Sequence, residues 1–261
     1  MSTVSDISAT QSPRPYERDG RNEEETEYSW WREHSRVVIS PIASPSAMGL
    51  YGFSAATLIV AGNLAGWYGP ATHSGLYYAP FCLAFGGIAQ FLAGMWCYKA
   101  RDTIGTVAHS MWGTFWIGYG ILWLMVGAKA LPLPAGAKSG HWVTFGMWFV
   151  MLGLLTMGCA FAAIAKNIAL FVTLALLAAG SDLLAAGMIG GFHTTVIVGG
   201  WVLVASVGAA VYTATALMVT DSYGRTILPL GKFKKDANVP GRVIAHPIEY
   251  TAGMPGARVG Q

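Results

Sequence analysis

Ionisable side chains are scarce over the central two thirds of this chain. Between Met48 and Val219, a stretch of 172 residues, only seven lysine, arginine, aspartate or glutamate residues occur. The whole chain has 261 residues, of which 54% are hydrophobic and 11% are charged, whereas about 25% of an ordinary soluble domain is charged. A soluble core of this size needs a far more polar surface, so the sequence predicts an integral membrane protein.

Six apolar stretches are each long enough to cross a bilayer, which takes about 20 residues in helical form. Polar or proline-containing breaks separate them, and the weakest break is "GGFH" at 190–193. We therefore predict an all-α fold, a bundle of six transmembrane helices over roughly 48–67, 76–98, 104–127, 141–163, 168–190 and 194–219.

Basic residues outside the spans predict the orientation of the bundle. If both termini are cytoplasmic, nine basic residues lie inside and two outside, as the positive-inside rule requires. The inner set is Arg32, Arg36, Lys99, Arg101, Lys166, Arg225, Lys232, Lys234 and Lys235, and the outer set is Lys129 and Lys138.

The two ends of the chain differ in composition from the spans. Residues 1–27 are polar and are predicted to be a disordered tail. Residues 28–43 contain "YSWWREHSRVVI", which suits a short amphipathic helix lying in the membrane interface, with a plain linker as the alternative. The transmembrane domain is assigned to 44–222, and 223–261 is predicted to be an extended cytoplasmic tail.

Several polar side chains fall inside the predicted spans. Asp182 is the only acid or base well inside one, where it is costly, so it is either proton-linked or a structural acid. It follows Leu177 by five residues, which turns it about 140° away on a helix. His109 shares a helical face with aromatic residues and suits a pore lining or plain packing. Neutral polar groups suit a wet path or interhelical hydrogen bonds; these are Thr57, Asn63 and Gln90.

The sequence contains no constellation typical of catalysis or of metal binding. Its six histidines show no HxxxH or HExxH spacing. The three cysteines, Cys82, Cys97 and Cys159, lie in apolar runs and behave there as small hydrophobic residues. We therefore expect no enzyme activity, no metal, no cofactor and no nucleic-acid partner.

Three segments of the sequence resemble a known family of membrane proteins. They read "SPSAMGLYGF" (44–53), "GGIAQFLAGMWCYKARDTIGTVAHSMWGTFW" (86–116) and "YGRTILPLG" (223–231). They are similar, in order, to an Asn-Pro-Ala-Pro-Leu-Gly-Leu signature followed by Phe, to a Gly-Gly-Ile-Ala-Gln stretch ending in Gly-Ser-Phe-Trp, and to a Phe-Gly-Arg-Thr-x-Leu-Pro-x-Gly ending. The resemblance spans about 44–232 and is to the acetate uptake transporter family, also called the GPR/FUN/YaaH family.

That resemblance implies a channel-like path through each protomer and a ring-shaped homo-hexamer in the lipid bilayer. It also implies movement of small monocarboxylates, chiefly acetate and in some members succinate, by proton symport or as a channel. The family's constriction of Phe, Tyr and Leu corresponds here to Phe53, Trp112 and Leu177, with Trp in place of Tyr. The signature departs at three positions, where Asn, Pro and Leu are replaced by Ser44, Ala47 and Met48.

The first span begins with residues that are poor helix formers. Pro45 suits a helix start, and Gly49 and Gly52 allow other helices to approach closely. A helix N-terminus at membrane depth, next to Ser44, offers free N–H groups to a carboxylate. Tight packing alone is the alternative explanation.

The predicted function is transport of acetate or a related small carboxylate across the plasma membrane, or the cell inner membrane if the chain is bacterial. A channel for a small neutral molecule such as ammonia suits a hydrophobic constriction equally well. A non-transporting membrane scaffold or sensor is the alternative from another class, and the polar groups at depth count against it.

Overall fold

The computed structural model describes residues 37–38, 42–69, 71–134, 139–232 and 249–250. The chain divides into two units, Met1–Pro41 with His246–Gln261, and Ile42–Ala245. In the first unit, β1 (Val37–Val38) pairs antiparallel with β2 (Glu249–Tyr250), with Val37 opposite Tyr250.

The strand β1 corrects part of the predicted interfacial helix. Val37 and Val38 are extended rather than helical, as β-branched residues favour. The remainder of the predicted helix and the predicted disordered tail (1–27) lie outside the described residues. The C-terminal tail, predicted to be extended, includes a short strand at Glu249–Tyr250.

The second unit is helical, and the prediction of an all-α bundle of six crossings is confirmed. The second crossing is continuous from Ala71 to Lys99 but changes its winding in the middle. The elements are α1 (Pro45–Leu64), α2 (Ala71–Phe81), a π-helical segment (Cys82–Ala89), α3 (Gln90–Lys99), α4 (Thr103–Gly127), α5 (Gly140–Ile164), α6 (Ile168–Gly190) and α7 (His193–Tyr223).

Within the part of the chain that the structure describes, five helical stretches are long and apolar enough to span a membrane. They are Pro45–Leu64, His73–Lys99, Gly140–Ile164, Ile168–Gly190 and His193–Tyr223. The sixth crossing, α4, has 25 residues and is therefore about 37 Å long. It is not among these five, and its sequence mixes tryptophans, a tyrosine and glycines with threonines, a serine and His109.

The six crossings are arranged around a shared core. Around this core, α5 packs against α6, α6 against α7, and α7 against α1. The α2–α3 crossing then packs against both α1 and α4. The backbones of α4 and α5 close the ring and have the fewest contacts of these neighbours. Glycines on α3 and α4, in the second and third crossings, lie against neighbouring helices of the same protomer. A Cβ on Gly94 would come within 2.7 Å of the Ser110 nitrogen, and one on Gly113 within 2.7 Å of the Phe91 nitrogen. These glycines serve packing within one bundle.

The π-helical segment follows a proline in the second crossing. Pro80 lies inside α2 and lacks the N–H that would continue the regular ladder, so the winding changes at Cys82. Gly86 and Gly87 within the segment are buried and allow Trp116 and Ile117 of α4 to pack directly against it. The sequence did not predict this segment.

One end of the bundle, which we call the basic end, carries Lys99, Arg101, Lys166 and Arg225 beside the start of α1. Here the segment that follows α7 caps the N-terminus of α6 with backbone hydrogen bonds. The N–H groups of Ile168 and Ala169 each donate over 3.1 Å to the carbonyls of Gly231 and Leu230. The side chain of Asn167 accepts from the Leu170 N–H over 2.9 Å. The "LPLG" segment is therefore a helix cap.

Candidate functional site

Three buried side chains form an apolar layer across the bundle. Phe53 of α1, Trp112 of α4 and Leu177 of α6 are 2%, 3% and 3% exposed. The rings of Phe53 and Trp112 meet edge to face with their centroids 6.2 Å apart. All three belong to one hydrophobic cluster.

The indole of Trp112 has a fixed orientation within this layer. Its Nε1 donates a hydrogen bond of 2.9 Å to the hydroxyl of Thr156 on α5. That hydroxyl donates in turn to the Leu152 carbonyl over 2.6 Å. The N–H of the indole is therefore already paired, and its apolar face is the part that can contact a solute in the layer.

A cavity of about 40 Å³ lies on one side of the layer, and we call it the aromatic cavity. Its lining includes Thr57, Tyr78, Trp116, Tyr119, Phe145 and Phe149, together with Trp112 and Leu177. Thr57 Oγ1 and Trp116 Nε1 are buried and have no hydrogen-bond partner in the described part of the chain. Both can donate a hydrogen bond inside an otherwise apolar chamber.

A second cavity, of about 120 Å³, lies on the other side of the layer at the basic end, and we call it the polar cavity. Its lining includes Ser44, Ser46, Leu50, Asp102, His109 and Lys166. His109 is 5% exposed, and its ring lies against Gly49, where an added Cβ would come within 2.5 Å of Nδ1.

The two cavities follow one another along the same three helices. On α1 the lining passes from Leu50 to Thr57, with Phe53 between them. On α4 it passes from His109 to Trp112 and beyond, and on α6 it passes from Leu174 to Leu177. Phe53, Trp112 and Leu177 therefore stand where one cavity gives way to the other.

An ion pair lies at the edge of the polar cavity. Lys166 Nζ donates to Asp102 Oδ1, which also accepts from the Gly105 N–H over 2.9 Å, and Ser46 Oγ donates to Asp102 Oδ2 over 3.2 Å. Burial by itself raises the pKa of the Asp102 carboxyl. The hydrogen bonds from Gly105 and Lys166 outweigh burial and hold that pKa below its ordinary value of 3.8.

Comparison with known proteins identifies the family of this bundle. Residues 32–234 match the GPR1/FUN34/yaaH family. The chain belongs to the GPR1/FUN34/yaaH family. It is 29% identical over 194 residues to the "Succinate-acetate/proton symporter SatP" of Escherichia coli (strain K12), covering 73% of this chain and 96% of that protein. It is 28% identical over 209 residues to "Acetate permease A" of Emericella nidulans, covering 77% of this chain and 70% of that one.

A solved structure shares the fold. The chain matches the "Structure of the bacterial acetate channel SatP" with a TM-score of 0.65 and 26% identity, over 73% of this chain and all of that one. SatP and acetate permease A are transport proteins by name, so the GPR1/FUN34/yaaH family is one of transporters and channels rather than of enzymes. With its apolar helices, this member is a multi-pass protein of the plasma membrane or bacterial inner membrane.

The family signature at the start of α1 lies between the polar cavity and the neighbouring helices. Pro45 is at the first helical position, and no side chain of the described residues caps the first turn. The Ser44 N–H donates to Asp221 Oδ2 over 3.3 Å. A Cβ on Gly52 would lie 2.5 Å from the Phe85 carbonyl oxygen. Gly49 and Gly52 are therefore sites of close packing, and Gly49 packs against a residue that lines the cavity.

Two of the predicted path residues lie away from both cavities. Asn63 Nδ2 donates to the carbonyls of Tyr68 and Gly69 and so holds the turn after α1. Gln90 is 2% exposed and lies on the side of the second crossing that faces α1, near Gly52. Neither residue lines the aromatic or the polar cavity as the structure describes them.

Asp182 lies on the outer surface of the bundle rather than in its core. Its carboxyl group packs against Gly153 of α5, where a Cβ added to the glycine would overlap Asp182 Oδ1. Leu177 is buried on the same helix, so the two side chains point in different directions.

Sequence reasoning missed the ion pair and most of the aromatic lining. Asp102 and Lys166 are 64 residues apart, and neither carries a local motif that predicts a partner. The aromatic residues did carry a signal, because Trp112, Trp116, Tyr119 and Trp123 recur on one face of α4.

Proposed function

We propose that this chain moves acetate or a related small monocarboxylate, including succinate, through the centre of its bundle. The observation that carries the proposal is the pair of cavities in series, divided by Phe53, Trp112 and Leu177. The family membership and the printed names of SatP and acetate permease A support the same substrate class.

The apolar layer is the proposed constriction. A bare carboxylate loses its hydration there, which is costly unless donors stand close by. Thr57 and Trp116 offer donors just beyond the layer, and His109 and Lys166 stand before it. The layer is therefore a short apolar barrier with hydrogen-bond donors on both of its sides.

Proton coupling fits this arrangement. Moving one elementary charge against the membrane potential costs about 2.3 kcal/mol per 100 mV. A proton that crosses together with acetate makes the step electroneutral, and a neutral acid also crosses an apolar layer more easily than its anion. We propose symport of a proton and the acid as the transport mode, with channel conduction as the alternative.

We also propose that the basic end is cytoplasmic and that the protein is a homo-hexamer in the bilayer. The positive-inside rule supports the orientation, since four basic residues gather at that end. Asp182 supports an oligomer, because an exposed acid at this depth is costly in lipid. Among the described ranges no hydrogen-bond or ion-pair partner for it is seen.

Labelled-acetate uptake into proteoliposomes tests the proposal. Uptake is measured at neutral pH, where acetate is largely ionised, with and without an inside-alkaline gradient, and protein-free liposomes correct for diffusion of acetic acid. We expect uptake above the liposome control and faster uptake with the gradient. Uptake that never exceeds the control contradicts acetate transport. Ammonia flux in the same vesicles then separates the neutral-molecule channel from a scaffold, which moves neither.

A further inference from the structure

The polar cavity holds several groups that bind carboxylates. Its volume is about 120 Å³, several times the 10–15 Å³ or so of this measure that one water needs. A carboxylate of a few atoms therefore fits. The groups that face it include the Lys166 ammonium, the His109 imidazole and the Ser46 hydroxyl, beside the uncapped first turn of α1.

One carboxylate already stands at this cavity, and it belongs to the chain itself. Asp102 accepts hydrogen bonds from Lys166, from the Gly105 N–H and from Ser46 Oγ. If Lys166 moved away, Asp102 would keep the other two bonds and its place as the N-cap of α4. The side chain of Lys166 is 39% exposed and lies on a short connection between α5 and α6, so solvent surrounds part of it.

His109 is the group that Asp102 does not satisfy. It is 5% exposed, lines the cavity, and its Nδ1 has no hydrogen-bond partner within 42–69, 71–134 and 139–232. A buried polar atom without a partner costs stability, so its persistence needs a reason. A ligand in the polar cavity supplies one.

We propose that the polar cavity is a carboxylate-binding site in which Lys166 leaves Asp102 and pairs with the carboxylate of the ligand, next to His109. Asp102 is then an internal competitor that occupies Lys166 while the site is empty. This site rests on the proposed function, because it would load the substrate at the basic end before the layer of Phe53, Trp112 and Leu177.

Two substitutions that break the same ion pair distinguish this site from a structural salt bridge. Binding of labelled acetate to the purified full-length protein in detergent is measured by scintillation proximity. Lys166→Gln removes the ligand's partner and raises Kd about tenfold, the effect of one charge-assisted hydrogen bond. Asp102→Asn removes the competitor but keeps a good N-cap, and lowers Kd. Lys166→Arg keeps the charge and stays close to wild type.

Lys99→Gln is the matched control, since Lys99 is an exposed lysine at the same end that does not line the cavity. It leaves Kd unchanged. Acetamide, the neutral analogue of acetate, does not displace the label from wild type. His109→Phe, which removes both ring nitrogens, raises Kd.

The signs of the two changes decide the outcome. If Lys166→Gln and Asp102→Asn shift Kd in the same direction, or if neither shifts it, the exchange is wrong and the pair is structural. If Lys166→Gln does not fold, lowered affinity in Asp102→Asn is enough to reject the site. If the wild-type protein binds acetate but does not transport it, the proposed function is wrong and the site stands. If the wild type transports acetate and the variants bind it with unchanged Kd, the site is wrong and the proposed function stands.

Discussion

The indole N–H of Trp112 donates to the hydroxyl of Thr156 over 2.9 Å, and this bond joins α4 to α5 beside the ring contact of Phe115 with Phe149. Thr156→Val keeps the shape of the side chain and removes the acceptor. A buried donor left unpaired costs about 1–3 kcal/mol, so the unfolding temperature in detergent falls by a few degrees. Thr156→Ser keeps the hydroxyl and is the control. Equal stability of the Val and Ser variants would mean that the bond contributes nothing.

Trp112 itself is predicted to limit the width of the path. Trp112→Tyr shortens the side chain, and Trp112→Ala removes it, so both raise flux or admit larger acids such as succinate. Uptake of labelled acetate and succinate, normalised to the amount of protein in the vesicles, measures this. An Ala variant that reaches the membrane and matches wild type in both fluxes shows that Trp112 is not at the constriction.

Asp182 is predicted to act in assembly rather than in proton transfer, because it faces outward and away from Leu177. Asp182→Asn leaves the pH profile of acetate uptake intact, whereas Asp182→Leu lowers the amount of oligomer. Native mass spectrometry of detergent-purified protein measures the oligomer. A pH profile that flattens in the Asn variant assigns the proton-linked role instead.

The Asp102–Lys166 pair makes stability depend on pH. The folded pKa of Asp102 lies below its ordinary value of 3.8, so its contribution is present above that value and is lost as the pH falls through the folded pKa. With Lys166 partly exposed, the contribution is about 1 kcal/mol or less. Unfolding temperatures measured from neutral pH to below 3.8 fall less steeply in Asp102→Asn than in wild type. Parallel curves for the two proteins would contradict this.

Gly52 is predicted to tolerate no side chain, unlike glycines that face open space. An alanine Cβ there would lie 2.5 Å from the Phe85 carbonyl oxygen, which belongs to the backbone and cannot rotate away. Gly52→Ala therefore destabilises by about 1–3 kcal/mol, the usual cost of overpacking. Gly208→Ala is the matched control, since no atom of the described part of the chain lies within 4 Å of its added Cβ, and it stabilises a helix by about 0.5–1 kcal/mol. Similar unfolding temperatures for the two variants would refute the packing argument.

The crossings were predictable because lipid imposes length and apolarity directly on the local sequence. The breaks at Lys99–Asp102 and Lys166 fall where the structure ends its helices, since charge is costly within the bilayer. The direction of Asp182 relative to Leu177 also followed from helical geometry alone.

The missed features depend on distant or indirect causes. The partner of Lys166 is 64 residues away and is set by the way two connections meet at the basic end. The depth of Asn63 in the sequence suits a wet path or an interhelical hydrogen bond equally well, and it does not show that Asn63 Nδ2 donates to the Tyr68 carbonyl in the turn after α1. The π-helical segment arises from Pro80, but where a helix recovers after a proline depends on what packs against it.

The carbonyls of Leu230 and Gly231 at the start of α6 have a consequence for biosynthesis. Residues 168–169 leave the ribosome about sixty residues before their hydrogen-bond partners do. All six crossings can therefore enter the membrane while the beginning of the fifth still lacks its cap. The cap forms only after all six crossings have been translated, so a protein that stops before Leu230 inserts fully and yet lacks this cap at its basic end.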